Sequence, residues 1–268
     1  MSTTIFLDID GTLIDLDQKP TTTSIPPLIQ KMQKEGIHFG LNSNRAKEDV
    51  DSIIKQFQLD GPFILENGSY MIDINGEEKI FIEGGADVKS IIHTLLEEFS
   101  EENKLKASIH ISDTTRLYTE QNLDNQSGLH IFMNQHRKYT GSIHHRIDGE
   151  SNYDFTEKLA HYLNEKFSLQ HPALVAVAHT HGNSITIENI GTDKSTGIQH
   201  YKSQYPEQHI IAIGDGVGDI VLRDSVNELY AVSNAVEELR AVADYVAEKP
   251  ITEGVEEILL KIMNKKRG

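Results

Sequence analysis

Apolar strand-like runs alternate with amphipathic helical runs at both ends of this chain, and that alternation restricts its fold more than any other feature. Near the N-terminus, residues 4–9 and 37–41 read as strands, separated by a helical pattern that begins after Ser24. Near the C-terminus, residues 209–213 and 229–232 repeat the arrangement. Repeated strand–helix units favour a parallel sheet with helices on both faces, so we expect an α/β fold.

The middle of the chain follows a different pattern. Two helical runs, at residues 86–99 and 153–167, enclose several short strand-like runs, and a pair of glycines separates this block from the first strand–helix series. We therefore predict an inserted α+β domain at residues 83–183. The α/β core would then comprise residues 1–82 and 184–268.

Two local signals add detail to this prediction. Asn75-Gly76 lies between the apolar runs at residues 70–72 and 80–82, which is typical of a β-hairpin. Asn234 precedes a helical pattern that extends to about residue 242, and we expect its side chain to cap that helix.

Composition narrows the classes of function. The 268 residues are enough for a sizeable core, and 41 acidic against 25 basic residues give a net charge of −16. Such a charge argues against binding nucleic acid or an anionic membrane. The absence of cysteine excludes disulfides and thiolate metal sites. No leader peptide or membrane span is evident, so we expect a cytoplasmic protein; its oligomeric state is not predicted.

Carboxylates follow two of the predicted core strands. Asp8 and Asp10 come directly after the first strand, and Asp215 and Asp219 follow the strand at residues 209–213. Ligand sites in open α/β sheets lie at the carboxyl ends of the strands, and clustered carboxylates repel each other unless a cation joins them. Oxygen ligands suit a hard cation such as Mg²⁺. Taken alone, each segment is also good turn chemistry.

A hydroxyl and a lysine stand in comparable positions. Ser43, in Asn42-Ser43-Asn44-Arg45, follows the second strand and precedes a helix, where it is placed to donate to a phosphate oxygen. Lys194 lies close to another predicted helix start and offers a point charge for a phosphate. A helix cap and a surface lysine are the ordinary alternatives for these two residues.

The order of acid pair, hydroxyl, lysine and acid pair resembles the haloacid dehalogenase (HAD) superfamily of phosphatases. The long insert resembles the large α/β cap of the Cof-like sugar-phosphatase branch, and residues 42–45 and 66–68 are similar to two further motifs of that branch. The chain departs from the branch at Asn44, where glycine is usual, and at Gly218, where asparagine is usual. The resemblance implies a Rossmann-like HAD core with an inserted cap.

This resemblance also implies a reaction. A small phosphomonoester, such as a sugar phosphate, would be hydrolysed with Mg²⁺ through an aspartyl-phosphate. Asp8 would be the nucleophile, Asp10 the general acid and base, and Lys194 a stabilising charge. The implied magnesium ligands are Asp8, Asp10 through its backbone carbonyl, Asp215 and Asp219. The implied phosphate-binding residues are Gly11, Thr12, Ser43, Asn44 and Lys194.

The inserted domain is expected to cover the site and to select the leaving group. Its candidate substrate-reading residues are basic or imidazole side chains: Arg116, Arg137, Lys138, His144, His145 and Arg146. Each of them has solvated surface as its ordinary alternative. Neighbouring strand residues point to opposite faces, so His144 and His145 cannot easily share a metal ion. His179 and His181 could share one, but no nearby acid pattern completes a zinc site.

Two other functions remain open at this stage. One is a sugar phosphomutase of the same superfamily, which would have the same core residues. The other is a non-catalytic regulator that binds a sugar phosphate. Phosphoglycolate, hexose phosphates, mannosylglycerate-type phosphates and pyridoxal phosphate all suit such a scaffold, and the sequence does not choose among them.

Overall fold

The computed structural model describes residues 2–15, 17–82, 87–112, 127–179 and 184–265. The chain forms two compact units. The core unit comprises Met1–Arg45, Val50–Phe81 and Asp193–Gly268, and the insert unit comprises Ala46–Asp49 and Ile82–Thr192.

The strands of the described residues are β1 (Thr3–Leu7), β2 (Ile37–Asn42), β3 (Phe63–Leu65), β4 (Tyr70–Ile72), β5 (Glu78–Ile80), β6 (Ala107–Ser112), β7 (Leu129–Asn134), β8 (Gly141–Ile147), β9 (Leu174–His179), β10 (Ser184–Asn189), β11 (His209–Gly214), β12 (Glu228–Ala231) and β13 (Tyr245–Val246). The α-helices are α1 (Ile25–Gln33), α2 (Lys47–Phe57), α3 (Val88–Glu102), α4 (Tyr153–Gln170), α5 (Lys194–Gln204), α6 (Glu237–Val242) and α7 (Ile251–Lys265). A 3₁₀ helix spans Val217–Leu222.

In the part of the chain that the structure describes, the core unit is built on an eight-stranded sheet with the order β13-β12-β11-β1-β2-β3-β4-β5. The strands from β13 to β3 are parallel, and β4 and β5 add an antiparallel hairpin at one edge. Strands β1 and β11 are central in this sheet, so the carboxyl ends of both lie away from the sheet edges. The expected α/β fold with a mostly parallel sheet is confirmed.

Helices cover both faces of the core sheet. Phe6 of β1 packs in one apolar cluster with Ile198 and Tyr201 of α5. Successive strand residues point to opposite faces, so the fully buried Ile5 and Leu7 lie on the other face. Helix α1 packs against β2 and α7. Burying one such large apolar side chain contributes about 1.5–3 kcal/mol, so these contacts hold the strands that carry the acids.

The insert unit has its own sheet, with the order β6-β7-β8-β10-β9 among the described strands. One face carries Ile131, Ile143 and Ile185, which form an apolar core with side chains of α3 and α4. Helix α4 begins at Asn152, whose side chain accepts a hydrogen bond from the backbone N–H of Phe155. The insert unit therefore has an apolar core of its own.

The opposite face of the insert sheet is polar. One row of paired residues crosses all five strands and consists of His110, Phe132, His144, Ser184 and His179. We name this surface the histidine face. Because the row is set by strand pairing, its side chains share one side of the sheet.

The structure moves one predicted domain boundary. The sequence pattern predicts that residues 184–268 belong to the core, because β10 follows the apolar pattern of the core strands. Strand β10 instead pairs with β8 and β9, and the core unit resumes only at Asp193. Antiparallel pairing inside the insert sheet determines where this strand belongs, and its composition carries no sign of that partner.

Two local predictions also need correction. The second arm of the hairpin is β5 (Glu78–Ile80), not residues 80–82, because Asp73 accepts hydrogen bonds from the N–H groups of Asn75 and Glu77 and widens the turn. Asn234 does not cap α6, whose preceding residue is Val236. Its side chain instead bridges two other backbone segments, described below.

Candidate active site

The ends of β1, β2 and β11 bring the predicted site residues to one edge of the core sheet. Leu7 pairs with Leu41 on one side and with Ile213 on the other. The backbone N–H of Asp8 continues the ladder by donating to the carbonyl of Ile213 at 2.9 Å. Since these strands are parallel, the residues that follow them are neighbours, although they are far apart in sequence.

Three carboxylates form a compact cluster at this edge. Carboxylate oxygens of Asp8, Asp215 and Asp219 lie within 4.8 Å of one another. Asp8 and Asp219 are buried, and Asp215 is half-buried. Burial raises the pKa of Asp8 to about 8, against the lowering effect of Lys194, and burial raises the pKa of Asp215 to about 6. Burial first, and then the neighbouring acids, thus disfavour the ionised forms of Asp8 and Asp215.

Lys194 lies inside this cluster. Its Nζ donates to Asp8 Oδ1 and to Asp219 Oδ1, both at 2.7 Å. Burial lowers the pKa of Lys194, but the charges of Asp219 and Asp8 outweigh burial and hold the pKa above its ordinary value. The lysine is therefore charged, and the three ionised acids with it would carry a formal charge of −2.

The backbone around Lys194 is fixed by three contacts. The side chain of Asp193 caps α5 by accepting from the N–H of Ser195 at 2.8 Å. The amide of Asn42 donates to the Lys194 carbonyl at 2.8 Å. Gly68, with a φ of +83°, packs so closely that a Cβ atom there would lie 1.8 Å from the Asp193 carbonyl oxygen. The sequence element Glu66-Asn67-Gly68 therefore supports the lysine loop.

Asp219 and Asp215 have different surroundings. Asp219 Oδ2 accepts from the N–H groups of Asp215 and Gly216, and its Oδ1 accepts from Lys194, so both oxygens already have protein donors. Within the described parts of the chain, Asp215 Oδ1 accepts one side-chain hydrogen bond, from the Thr12 hydroxyl at 2.7 Å. These contacts leave Asp215 better placed than Asp219 to take a cation directly.

Gly11 makes the approach of Asp215 possible. Its φ is +84°, and a Cβ atom at this position would lie 2.3 Å from Asp215 Oδ2. No residue other than glycine fits this arrangement without displacing the carboxylate. The structure thus brings Gly11 and Thr12 against the second acid pair, at the same edge as Asp8.

The carboxylate of Asp10 lies outside the three-acid cluster. Arg45 Nε donates to Asp10 Oδ2 at 2.8 Å, and Arg45 Nη2 donates to Asp10 Oδ1. The same Nη2 also contacts Gln18 Oε1. The Asp10 side chain is 54% exposed, which leaves it accessible beside the buried cluster.

Ser43 and Asn44 follow β2 at the same edge of the sheet. Ser43 is buried, and its hydroxyl accepts from the N–H of Arg45 at 3.2 Å. Its backbone is held by hydrogen bonds to Ile64 and Asn67. Asn44 is half-buried in the same turn. The phosphate-binding role of Ser43 and Asn44 stays a prediction.

Residues of the insert unit divide between the two faces of its sheet. His144 and Arg146 lie on the histidine face, and burial lowers the pKa of His144 to about 4. His145 lies on the opposite face, where its ring packs against Phe155 and its Nε2 contacts the carbonyl of Asn152. The prediction that His145 is available to read a substrate is therefore wrong, because α4 buries it.

The other predicted insert residues have these placements. Arg137 makes hydrogen bonds within its own turn, to the Thr140 hydroxyl and the Gly141 carbonyl, and Lys138 Nζ lies 3.5 Å from a Glu48 carboxylate oxygen. His179 Nε2 contacts the Thr186 hydroxyl at 2.9 Å. Arg116 and His181 lie outside the described residues.

Two supporting residues escaped the sequence analysis. Arg45 lies in the motif at residues 42–45, but one sequence carries no signal for its contact with Asp10. Asn234 Nδ2 donates to the Gly11 carbonyl at 2.9 Å, and its Oδ1 accepts from the N–H of Ile251 at 2.8 Å. It thereby fastens the loop after β1 to the start of α7. Asparagine before a helical pattern usually indicates a helix cap, so the sequence favoured that role instead.

The site combines acids at two strand ends of a parallel sheet with a lysine between them, and the core carries a large insertion. Together these features define a phosphatase of the HAD type. The chain belongs to the haloacid dehalogenase-like hydrolase family, whose model matches residues 5–259. No helix in the described ranges has the length and apolar character needed to cross a bilayer.

Similar proteins have related names and folds. The chain is 27% identical to a phosphoglycolate phosphatase of Staphylothermus marinus, over 96% of each chain. It is 26% identical to one of Methanospirillum hungatei, over 95% of this chain and 94% of that protein. A haloacid dehalogenase-like hydrolase from Bacteroides thetaiotaomicron has the same fold, with a TM-score of 0.71, 16% identity and coverage of 98% of this chain and 100% of that chain.

Proposed function

We propose that this phosphatase hydrolyses a small phosphomonoester with Mg²⁺, through a phosphorylated Asp8. The observation that carries the proposal is the buried cluster of Asp8, Asp215 and Asp219 around Lys194. Phosphoryl transfer to a carboxylate requires three things: a nucleophilic carboxylate, a fixed positive charge, and further negative charge that binds a divalent ion.

The donor set fits magnesium. All three cluster acids offer oxygen, which Mg²⁺ prefers, and their carboxylate oxygens lie within 4.8 Å of one another. Asp8, the backbone carbonyl of Asp10, and Asp215 would hold the ion. Asp219, whose oxygens accept from protein donors, would orient Lys194 and the backbone at Asp215. When bound, the ion would neutralise charge on the phosphoryl group and the attacking carboxylate.

Each residue of the site then has its own role in the reaction. An Asp8 oxygen attacks phosphorus, the bond from phosphorus to the ester oxygen breaks, and Asp10 gives a proton to the leaving oxygen. Lys194 and Ser43 stabilise charge on the equatorial phosphoryl oxygens, assisted by the loop at Gly11. Water next attacks phosphorus and returns a proton to Asp10, which frees Asp8 and releases phosphate.

The substrate we propose is a small phosphate ester with an acidic or hydroxylated leaving group. Two similar proteins carry the name phosphoglycolate phosphatase, so phosphoglycolate is the first ester to test. Arg146 on the histidine face has the chemistry to bind a carboxylate or a sugar hydroxyl. We propose that the insert unit selects the leaving group, while the core unit performs the reaction.

A phosphate-release assay over a panel of esters tests the proposal. The panel contains phosphoglycolate, hexose phosphates, a mannosylglycerate-type phosphate and pyridoxal phosphate, each measured with Mg²⁺ and with a chelator. We expect Mg²⁺-dependent release from the wild type and none from Asp8→Asn. If Asp8→Asn, with the substitution verified by mass spectrometry, keeps full activity, the covalent step is ruled out.

The same assay separates the phosphomutase alternative. A phosphatase releases inorganic phosphate from a single ester without an added activator. A mutase instead returns the phosphate to the sugar and needs a bisphosphate to start. A protein that binds an ester and never turns it over would favour the regulator alternative.

A further inference from the structure

The contact between Arg45 and Asp10 has a geometry that a surface ion pair seldom has. Two nitrogens of one guanidinium donate to the two oxygens of one carboxylate, which fixes the carboxylate in position and in rotation. The Arg45 side chain is only 11% exposed, whereas the Asp10 side chain is 54% exposed. The buried Arg45 side chain is thus the fixed partner of the pair. It holds an Asp10 carboxylate that remains exposed to solvent.

Arg45 is itself held by the loop that carries Ser43. Its N–H donates to the Ser43 hydroxyl, and its carbonyl accepts from the N–H of Glu66 at 3.0 Å. Gln18 Oε1 accepts from the same Arg45 Nη2 that contacts Asp10. The guanidinium therefore links the loop after β1 to the loop after β2.

Asp10 has little else to fix its orientation among the contacts found in the described residues. Its carboxylate is excluded from the cluster of Asp8, Asp215 and Asp219. A free aspartate side chain samples several rotamers, and fixing one of them has an entropic cost. A bidentate arginine meets that cost before substrate arrives.

We propose that Arg45 is the positioning residue for Asp10, and that it aims this carboxyl group at the leaving-group oxygen. The inference rests on the proposed function, because it assigns Asp10 the proton transfer. Arg45 itself exchanges no proton in this proposal. Before the transfer, one Asp10 oxygen carries the proton and faces the ester, while the other oxygen still accepts from Arg45. The proton passes from that first oxygen to the ester oxygen as the phosphorus–oxygen bond breaks, which leaves the carboxylate free to accept from both guanidinium nitrogens. The attacking water then returns a proton to Asp10.

A kinetic cycle of four proteins tests this proposal: the wild type, Arg45→Met, Asp10→Asn and the double variant. The substrates are the alkyl ester that the wild type turns over best and p-nitrophenyl phosphate, whose leaving group departs without a proton. A misplaced acid typically costs on the order of 10²-fold in rate. We expect Arg45→Met to lower kcat for the alkyl ester by about 10- to 100-fold, and for the aryl ester much less.

The remaining expectations separate positioning from other roles. The double variant should be no slower than Asp10→Asn alone, because Arg45 acts through Asp10. Arg45→Lys should restore only part of the rate, since lysine cannot form the two-pronged contact. Arg223→Met is the matched control, because Arg223 pairs with the Asp244 carboxylate elsewhere in the core unit. It should leave kcat unchanged.

Two results would overturn the inference. Independent, multiplying losses in the double variant would show that Arg45 does not act through Asp10. A raised KM for both esters with little change in kcat would assign Arg45 to phosphate binding instead.

Crystal structures of the wild type and Arg45→Met give a second test that needs no activity. We expect one Asp10 side-chain position in the wild type and several in the variant. The same single position in both would contradict the inference. Failure of the wild type to hydrolyse any ester would sink the proposed function, and these two structures would still decide on the contact.

Discussion

The two units of this protein treat charge in opposite ways. The core unit gathers Asp8, Asp219 and Lys194 into a buried cluster at the ends of its parallel strands. The insert unit spreads its ionisable groups along one sheet face, where His110, His144 and His179 belong to a single row across five strands. A clustered site suits one fixed reaction, whereas a spread surface suits selection among leaving groups.

The largest difference between the units should follow from removing the buried lysine. Lys194→Ala deletes the charge that contacts Asp8 and Asp219, so we expect turnover to fall roughly 10³-fold for every ester alike. Lys194→Met is the control for a packing defect, because methionine keeps most of the volume of the lysine stem and removes only the charge. By comparison, Arg146→Met on the histidine face should change the ratio of kcat/KM between two esters by about fivefold. If Arg146→Met, like Lys194→Ala, slows all esters to the same extent, the proposed difference between the two units is wrong.

A second, smaller effect concerns the cation. Asp215→Asn removes a carboxylate that the Thr12 hydroxyl holds. We expect turnover to fall about 100-fold and the Mg²⁺ concentration for half-maximal rate to rise. Asp224→Asn, an exposed change in the core unit, is the control. An unchanged Mg²⁺ requirement in Asp215→Asn would remove this residue from the proposed ligand set.

The third prediction concerns acid stability of the insert unit. Burial first, and then nearby arginines, lower the pKa of His144 to about 4. The unfolded chain takes up a proton at this histidine near pH 6.5 and the folded protein does not, so stability is full above pH 6.5 and falls toward pH 4. One pKa unit corresponds to about 1.4 kcal/mol, so the loss is about 3 kcal/mol.

Urea unfolding of the full chain at several pH values measures this loss. His144→Gln should flatten the pH dependence, whereas His161→Gln, at an exposed position of α4, should retain it. If His144→Gln and the wild type lose stability in parallel, burial of this histidine is not the cause.

The smallest effect comes from a matched pair of asparagines. Asn234 bonds two backbone groups in the core unit, and Asn164 does the same with the N–H and carbonyl of Ala176 in the insert unit. Each change to alanine should lower the free energy of unfolding by roughly 1–2 kcal/mol. Only Asn234→Ala should also slow turnover, by about tenfold, because it releases the Gly11 carbonyl. A similar slowing in Asn164→Ala would contradict this separation.

The sequence predicts the core unit better than the insert unit for a physical reason. Parallel strands bring their carboxyl ends to one edge of a sheet, so a shared site for Asp8 and Asp215 could be expected from the acids that follow their strands. Strand β10 could not be assigned in this way, because its partners β8 and β9 are antiparallel and are set by tertiary contacts. Domain boundaries therefore needed coordinates.

Side-chain direction was predictable only where strand alternation applied. His144 and His145 point to opposite faces, as expected, yet which of them α4 buries depended on packing. The bridging role of Asn234 and the grip of Arg45 on Asp10 depend on loops that meet across 223 and 35 residues. No strand alignment sets these loop side-chain contacts, so one sequence carries no signal for them.

The central claim is that Asp8 carries the phosphoryl group during turnover. The direct measurement is an acid quench of the wild type in mid-reaction with its best ester, followed by peptide mass analysis. We predict a phosphoryl group on the peptide that holds Asp8, present with Mg²⁺ and gone once substrate is exhausted. Rapid phosphate release with that peptide always unmodified would contradict the account.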